Sequence, residues 1–453
     1  MKEVSTIFLG AGTAALAAGN RMLESGDKGF LILEKGNSLD KRFCPGAKEY
    51  TCKFCKRGCY MVEGVGGANA LYGNKICYFP ASERILEDCT LDEKDIALKY
   101  LNSFQPYIDS GNIQETENKI GPYKEYTSDV LDQNEYRLLI NALSKKLVEN
   151  ELILANTNII KISKKKNGKF SLLSQDGAVF ICSKLILATG RSSHLFLKDL
   201  FDSLSIEYSF LNQDIGIRIE TSKENFSKNY YYQVDPKIKF DFGDLGSGRT
   251  FCAHNQGLVV PIQFGNSFFA DGAFSDKFSD NNNIALMVRT KNPLDNTLLE
   301  KWCGTINQYT QNSLILNKID LFNKPTQQLV NEIFSSLPIY PSETHKMLMR
   351  NLLVNLFSNE EFKILNSHLL GQTLTIYGPA IDRYWVAPVL DRNFASTTVR
   401  NCYVIGDAIG KSRGIFQAMF SGVLWANRYL KTEVKENNHD KVRSSGLSTS
   451  VSS

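Results

Sequence analysis

Two groups of residues in this sequence have the types and spacing to do chemistry. The first is Gly10-x-Gly12-x-x-Ala15, with Glu34 lying 22 residues past Gly12. Gly10 permits a tight turn. Gly12 has no side chain to keep a diphosphate from a helix N-terminus, where Thr13 opens the helix, and Ala15 lets that helix pack closely on a strand. Unpaired N–H groups and the helix dipole favour the anion. Glu34 stands at the distance expected of an acid that accepts from ribose hydroxyls, and it disfavours a 2′-phosphate there. The second group is Cys44-x7-Cys52-x2-Cys55-x3-Cys59, four thiols within sixteen residues. Four sulfurs suit tetrahedral zinc or an iron–sulfur cluster. Lys41, Arg42, Lys48, Lys53, Lys56 and Arg57 surround them, and positive charge lowers thiol pKa values. Cys44, Cys52, Cys55 and Cys59 are therefore the candidate metal ligands. A redox-active pair and inert thiols are the alternatives.

The elements that must position these residues follow from hydrophobic pattern. Val4 to Leu9 reads as a strand, Thr13 to Glu24 as an Ala-rich helix and Phe30 to Leu33 as a second strand, one β-α-β unit. Thr90 to Ile108 and Asp132 to Glu149 read as helices. Ile159 to Ser163, Phe170 to Ser174 and Val179 to Cys182 read as strands joined by glycine turns. Beyond residue 206, strand-like pieces (Ile215 to Glu220, Leu258 to Gln263, Ala285 to Val288) mix with helical ones (Leu298 to Gln311, Asn355 to His368). A strand at Cys402 to Ile405, Gly406-Asp407 and a helix from Gly414 to Leu430 close the ordered pattern. The chain has 453 residues, too long for one core. A net charge of +4 gives no argument for nucleic acid or an anionic membrane as partner. Neither a membrane span nor a signal peptide is evident, and ten cysteines in a reducing compartment are not a disulfide framework. A cytoplasmic location is expected.

Taken together, several segments resemble one family: the FAD-dependent dehydrogenases of largely unassigned function, within the glutathione-reductase-like flavoproteins with two dinucleotide-binding domains. The carriers are Gly10 to Glu34, Gly64-Val65-Gly66-Gly67-Ala68 with Lys75, and Ala188-Thr189-Gly190-Arg191-Ser192. Gly216-Ile217-Arg218-Ile219-Glu220, Arg249-Thr250-Phe251-Cys252, and Asp407 with Arg413-Gly414 complete the set. The resemblance covers nearly the whole chain except the tail. It departs at the glycine loop, where the family continues Gly-Gly-Ala-Gly and Ser-Asp-Gly-Lys; here stand Gly67-Ala68-Asn69 and Tyr72-Gly73-Asn74-Lys75. The implied cofactor is FAD, with Asp407 accepting from the ribityl chain. The helix opening at Gly414 and Ile415 would face the electron-rich edge of the flavin. The implied cofactor-binding set is Gly10, Gly12, Thr13, Ala15, Glu34, Gly66, Gly67, Ala188, Thr189, Gly190, Gly406, Asp407, Gly414 and Ile415.

The expected fold is α/β. A Rossmann-like FAD-binding domain is discontinuous over residues 1–205 and 373–431 and carries a Cys-rich loop over 41–80. An inserted mixed α+β substrate domain spans 206–372, and a disordered tail spans 432–453. The expected function is two-electron oxidation or reduction of a small organic substrate, with NAD(P)H or an electron-carrier protein as redox partner. No second glycine-rich nucleotide unit is evident in the interior. His254, Tyr384 and Arg383 are the candidate catalytic side chains, and Arg191 is placed to touch a phosphate or a backbone carbonyl. Three rival functions stand beside this one: an RNA- or nucleotide-modifying flavoenzyme, a thiol–disulfide oxidoreductase using Cys52 and Cys55, and a non-enzymatic FAD-binding redox partner.

Overall fold

The computed structural model describes residues 1–46, 49–55, 58–68, 70–108, 127–191, 194–222, 238–254, 256–274, 279, 281–321, 324–358 and 373–446. β1 (Lys2–Leu9) leads through the Gly10–Gly12 turn into α1 (Thr13–Glu24) and back to β2 (Phe30–Leu33). The two strands are parallel, with Leu9 beside Leu33. α1 is buried almost all round, from Thr13 to Asn20, which is why its sequence is alanine-rich instead of amphipathic. α2 (Gln133–Glu149) starts at a capping box of Asp132 and Glu135 and packs on α1. The sheet is completed by β3 (Ile153–Leu154), β4 (Ile159–Lys164), β5 (Phe170–Ser174) and β6 (Val179–Leu187), in the order β3-β2-β1-β6-β5-β4. β4, β5 and β6 form an antiparallel meander; the other pairings are parallel.

A second sheet is antiparallel throughout. Its strands are β7 (Asp214–Ser222), β8 (Lys239–Asp241), β9 (Gly246–His254), β10 (Asn281–Thr290), β11 (Ile315–Asp320) and β12 (Thr373–Asp382). They lie in the order β8-β9-β10-β7-β12-β11. The helix Glu343–Ser358 packs on β9 and β10, and the hairpin Gly257–Phe264/Ser267–Phe274 lies against β12. β12 begins at residue 373, so the segment assigned from sequence to the nucleotide-binding part instead opens with a strand of the second sheet.

The chain then returns. β13 (Cys402–Val404) pairs in parallel with the second half of β6, Leu185 to Leu187, while the first half of β6 pairs with β5. This brings Gly406-Asp407 to the carboxyl ends of β1 and β6, beside Gly10–Gly12 and Ala188–Gly190. Ligands bind open α/β sheets at such crevices. α3 (Ile415–Gly446) packs so closely on α1 that a Cβ on Gly422 would lie 2.1 Å from the Ala14 carbonyl oxygen. α3 also corrects an expectation: residues 432–446, read as a disordered tail, are helical. Helix propagation from a buried segment costs little, and the Lys and Glu residues there are good helix formers. Residues 447–453 lie outside the described residues, as do 359–368, the end of the helix expected from Asn355 to His368. Among the described residues no helix is long and apolar enough to cross a membrane.

Candidate functional site

A cavity of about 1050 Å³ opens where the first sheet meets the second, at the upper end of ligand-pocket sizes, roughly 300–1,000 Å³. Every residue expected at the cofactor lines it except Ala15, which is fully buried in α1. The two glycines of the first turn do different work. Gly10 has φ +103°, and a Cβ there would sit 2.6 Å from the Ala188 carbonyl oxygen, so the fold itself requires glycine. Gly12 has φ −73°, open to any residue, and the nearest protein atom to an added Cβ is the Ala188 carbonyl oxygen at 3.9 Å. Gly12 is the N-cap of α1 and gives the helix no side-chain cap. The start of the helix therefore borders the cavity without a side-chain cap.

Glu34 is the organiser of this turn. Its carboxylate accepts from the amides of Ala11, Gly36 and Gly64, each at 2.8 Å. A carboxylate has about four acceptor positions, so capacity remains on the face that lines the cavity. The glycine loop is stitched to the same place: the Gly66 amide donates to the Ala11 carbonyl at 3.0 Å. Sequence reasoning missed the residue that holds this loop. Arg42, read from sequence only as one of the basic residues around the cysteines, is buried and donates to the carbonyls of Tyr60 (2.8 Å), Val65 (3.1 Å) and Gly67 (2.7 Å). Burial pushes its guanidinium down to about 10. A run of polar residues carries no signal that one of them turns inward.

Beside the same turn, Thr189 Oγ1 and Asp407 Oδ1 are buried without a hydrogen-bond partner among the described residues. Burial raises the Asp407 carboxyl, against the pull of Arg191 and Arg413. Arg191, expected at a phosphate or a carbonyl, instead pairs with Asp382 at 3.0 Å and lies 3.6 Å from Asp407. Gly414 has φ +118° as the chain enters α3, and Ile415 follows at the cavity wall.

The wall contributed by the second sheet is a charge array. Asp214 on β7 and Asp382 on β12 are register partners. Asp214 binds Arg289 through two bonds, 2.9 and 2.6 Å, and Arg249 at 2.5 Å. Asp382 binds Arg191 and Arg413. Burial acts to raise the Asp382 carboxyl, and the Arg413 and Arg191 guanidiniums override it and hold it below its ordinary value. Arg383, next along the chain, has φ +55° and a buried Nε without a partner. Of the candidate catalytic residues, His254 and Arg383 line the cavity. His254 Nδ1 is 2.9 Å from the Cys252 carbonyl, which also accepts from Arg218 at 2.9 Å. Tyr384 does not line it: the ring is buried among Phe264, Phe269 and Trp385, a core position.

The cysteine reading is corrected. No group of three or more metal-ligating side chains gathers among the described residues, and all ten thiols are unbridged. Cys44 and Cys59 pack against the core of the second sheet, and Cys52 packs against the separate cluster containing Phe268 and Tyr377. Burial pushes Cys52 up to about 11 and Cys59 up to about 12, and it raises Cys55 as well. Desolvation is the largest influence on each thiol, and sequence spacing does not reveal it.

No protein-family model matches the chain, and no curated protein matches it. Among solved structures it is similar to a flavoprotein/dehydrogenase from Cytophaga hutchinsonii, at 11% identity and TM-score 0.43, over 95% of this chain and 79% of that one. It is also similar to 2,6-dihydroxypyridine-3-hydroxylase from Arthrobacter nicotinovorans, at 13% and 0.39, over 99% and 94%. A third is CtdE in complex with FAD and a substrate, at 12% and 0.40, over 97% and 89%. Likenesses this distant carry no argument, and the functional reading rests on the chain's own residues.

Proposed function

We propose that this chain is an oxidoreductase that binds FAD non-covalently in the cavity and uses it on a small organic substrate. The observation that carries the reading is Gly12. It is a glycine that neither its backbone conformation nor its protein neighbours require, set at the uncapped start of α1 inside a large cavity. A diphosphate against those amides explains it. Two buried oxygens, on Thr189 and Asp407, have no hydrogen-bond partner among the described residues and suit the hydroxyls of a ribityl chain.

FAD supplies two-electron transfer when bound. The protein's part is position and electrostatics. The Gly10–Gly12 turn and α1 hold the diphosphate, and Glu34 fixes the turn and keeps acceptor capacity for a ribose. Asp407 holds the ribityl chain, and the start of α3 contributes positive potential at the reacting end. The second sheet brings the substrate wall, where His254 is the candidate to hold or move a proton. NAD(P)H or an electron-carrier protein is the proposed redox partner.

The test is an absorption spectrum of the purified protein, followed by acid precipitation. Flavin bands should be present, or appear on reconstitution, and the supernatant should turn yellow. Colourless protein that FAD fails to reconstitute overturns the proposal.

A further inference from the structure

Arg191, Arg249, Arg289, Arg383 and Arg413 all line the cavity. The carboxylates that balance them are Asp214, Asp382 and Asp407. Arg218 and Asp271 nearby pair with each other at 3.3 Å and leave the count unchanged. Five guanidiniums against three carboxylates leave two positive charges uncompensated. One of the two lies at Arg383. Asp382 is taken by Arg191 and Arg413, and Asp214 by Arg289 and Arg249, so Arg383 is the fifth. Arg383 forms no ion pair among the described residues, its Nε is buried without a partner, and so is the Nε of Arg249. Burial first, with the neighbouring Arg289 and Arg413, outweighs the pull of Asp214 and Asp382, which are already gripped by other guanidiniums, and the Arg383 pKa is lowered. A buried cation in that position is missing an anion.

The surroundings narrow the anion. Phe251 lies under two of the guanidiniums, 4.4 Å from Arg413 and 4.6 Å from Arg249. Guanidinium is weakly hydrated, stacks on rings and meets carboxylate edge to edge through paired N–H bonds. A planar monoanion flanked by aromatic surface is cheaper to desolvate than a dianionic phosphate. We infer that Arg383 and Arg249 form an oxyanion subsite that takes the carboxylate of an organic-acid substrate. The inference deepens the proposed oxidoreductase function and rests on it for the word substrate. The subsite itself exists whether or not flavin is bound.

Isothermal titration of the full-length protein, with flavin content read from its absorbance, separates the two readings. The probes are benzoate, acetate, uncharged benzamide and inorganic phosphate. Arg383 forms no ion pair among the described residues and its buried charge is disfavoured, so Arg383→Gln should fold with a melting temperature no lower than wild type. Benzoate and acetate should bind and benzamide should not. Arg383→Gln should weaken benzoate roughly ten- to hundredfold, the loss expected for hydrogen bonds to a charged group. Arg383→Lys should recover part of the affinity. The inference is overturned if no carboxylate binds at millimolar concentration, if benzoate ignores Arg383→Gln, or if benzamide binds equally well. Phosphate binding tenfold more tightly than benzoate overturns the carboxylate assignment and points to the phosphate of a nicotinamide cofactor. Benzoate binding to a protein that cannot take flavin sinks the FAD proposal alone.

Discussion

Substituting the two glycines of the first turn should separate folding from binding. In Gly12→Ser the new side chain enters open space at φ −73°, where serine is an ordinary N-cap and α1 now has none. Serine and glycine differ by only a few tenths of a kcal/mol at such a position. The flavin-free protein should therefore melt within a degree or so of wild type. The serine oxygen, however, takes the amide that a diphosphate needs and fills the space beside it. A hydrogen bond to a charged group contributes about 1.5–3 kcal/mol, so losing it weakens FAD by about one to two orders of magnitude, and the crowding adds to that. Gly10→Ala should do the reverse in the first instance. A Cβ 2.6 Å from the Ala188 carbonyl oxygen, at φ +103°, clashes with backbone. Strain of this kind costs about 1–3 kcal/mol before the clash is counted, several degrees of melting temperature in a domain of roughly 200 residues. The assay is differential scanning fluorimetry of the apo proteins and fluorescence titration with FAD, because bound FAD would itself raise the melting temperature. Gly12→Ser protein that is folded and binds FAD like wild type would refute the placement of the diphosphate.

Three further outcomes are expected. His345 is buried, and burial pushes it down to about 4. Its unfolded form protonates near 6.5, so its stabilising contribution is complete above that value and is lost as pH falls toward 4; between pH 7 and pH 5 the loss is about 2 kcal/mol. Urea midpoints at the two pH values should differ less in His345→Asn than in wild type, and an unchanged difference would show that His345 is not the group. Arg42→Gln should cost about 3 kcal/mol, because buried carbonyls of Tyr60, Val65 and Gly67 lose a charged donor. FAD affinity should fall with the loosened glycine loop, and denaturation with flavin titration would show both. Cys52 and Cys59 should resist iodoacetamide at pH 7.5 in the folded protein, and elemental analysis should find less than stoichiometric zinc and iron. Rapid alkylation or a full equivalent of metal would restore the cysteine-site reading.

The β-α-β unit and the glycine turn that it brings to the cavity were legible because a short local pattern encodes them. Turn, helix start and acid lie within 25 residues, and each is constrained by backbone geometry. The return of Asp407 was legible for the same reason, as a strand ending in Gly-Asp. What remained hidden lies in long-range pairing. Asp214 meets Arg249 and Arg289, and Asp382 meets Arg191 and Arg413. These residues sit on six separate segments, and no periodicity links them. The cysteines failed in the opposite sense. Their spacing was informative-looking, but whether four thiols face one point or pack into two different clusters is decided by tertiary contacts. Tyr384 was misplaced for that reason too, since a tyrosine beside arginines reads alike whether it faces a cavity or a core.

The acid pair explains why the wall is built on strands. Asp214 and Asp382 are register neighbours on β7 and β12, and like charges opposite one another destabilise a sheet. Well-packed apolar residues would serve stability as well or better than buried ion pairs. What the arrangement supplies is position. Each carboxylate grips two guanidiniums from different elements: β9 and β10 for Asp214, the end of β6 and the entry to α3 for Asp382. Arginine side chains that would otherwise be mobile are thereby fixed along the seam between the two sheets. Arg191 also lies 3.6 Å from Asp407, so the charge array reaches the residue proposed to hold the ribityl chain. With the charge array reaching Asp407 in this way, an anion entering at the proposed subsite beside Arg383 would alter the electrostatics at Asp407. The coupling would pass through Asp382, which grips Arg191.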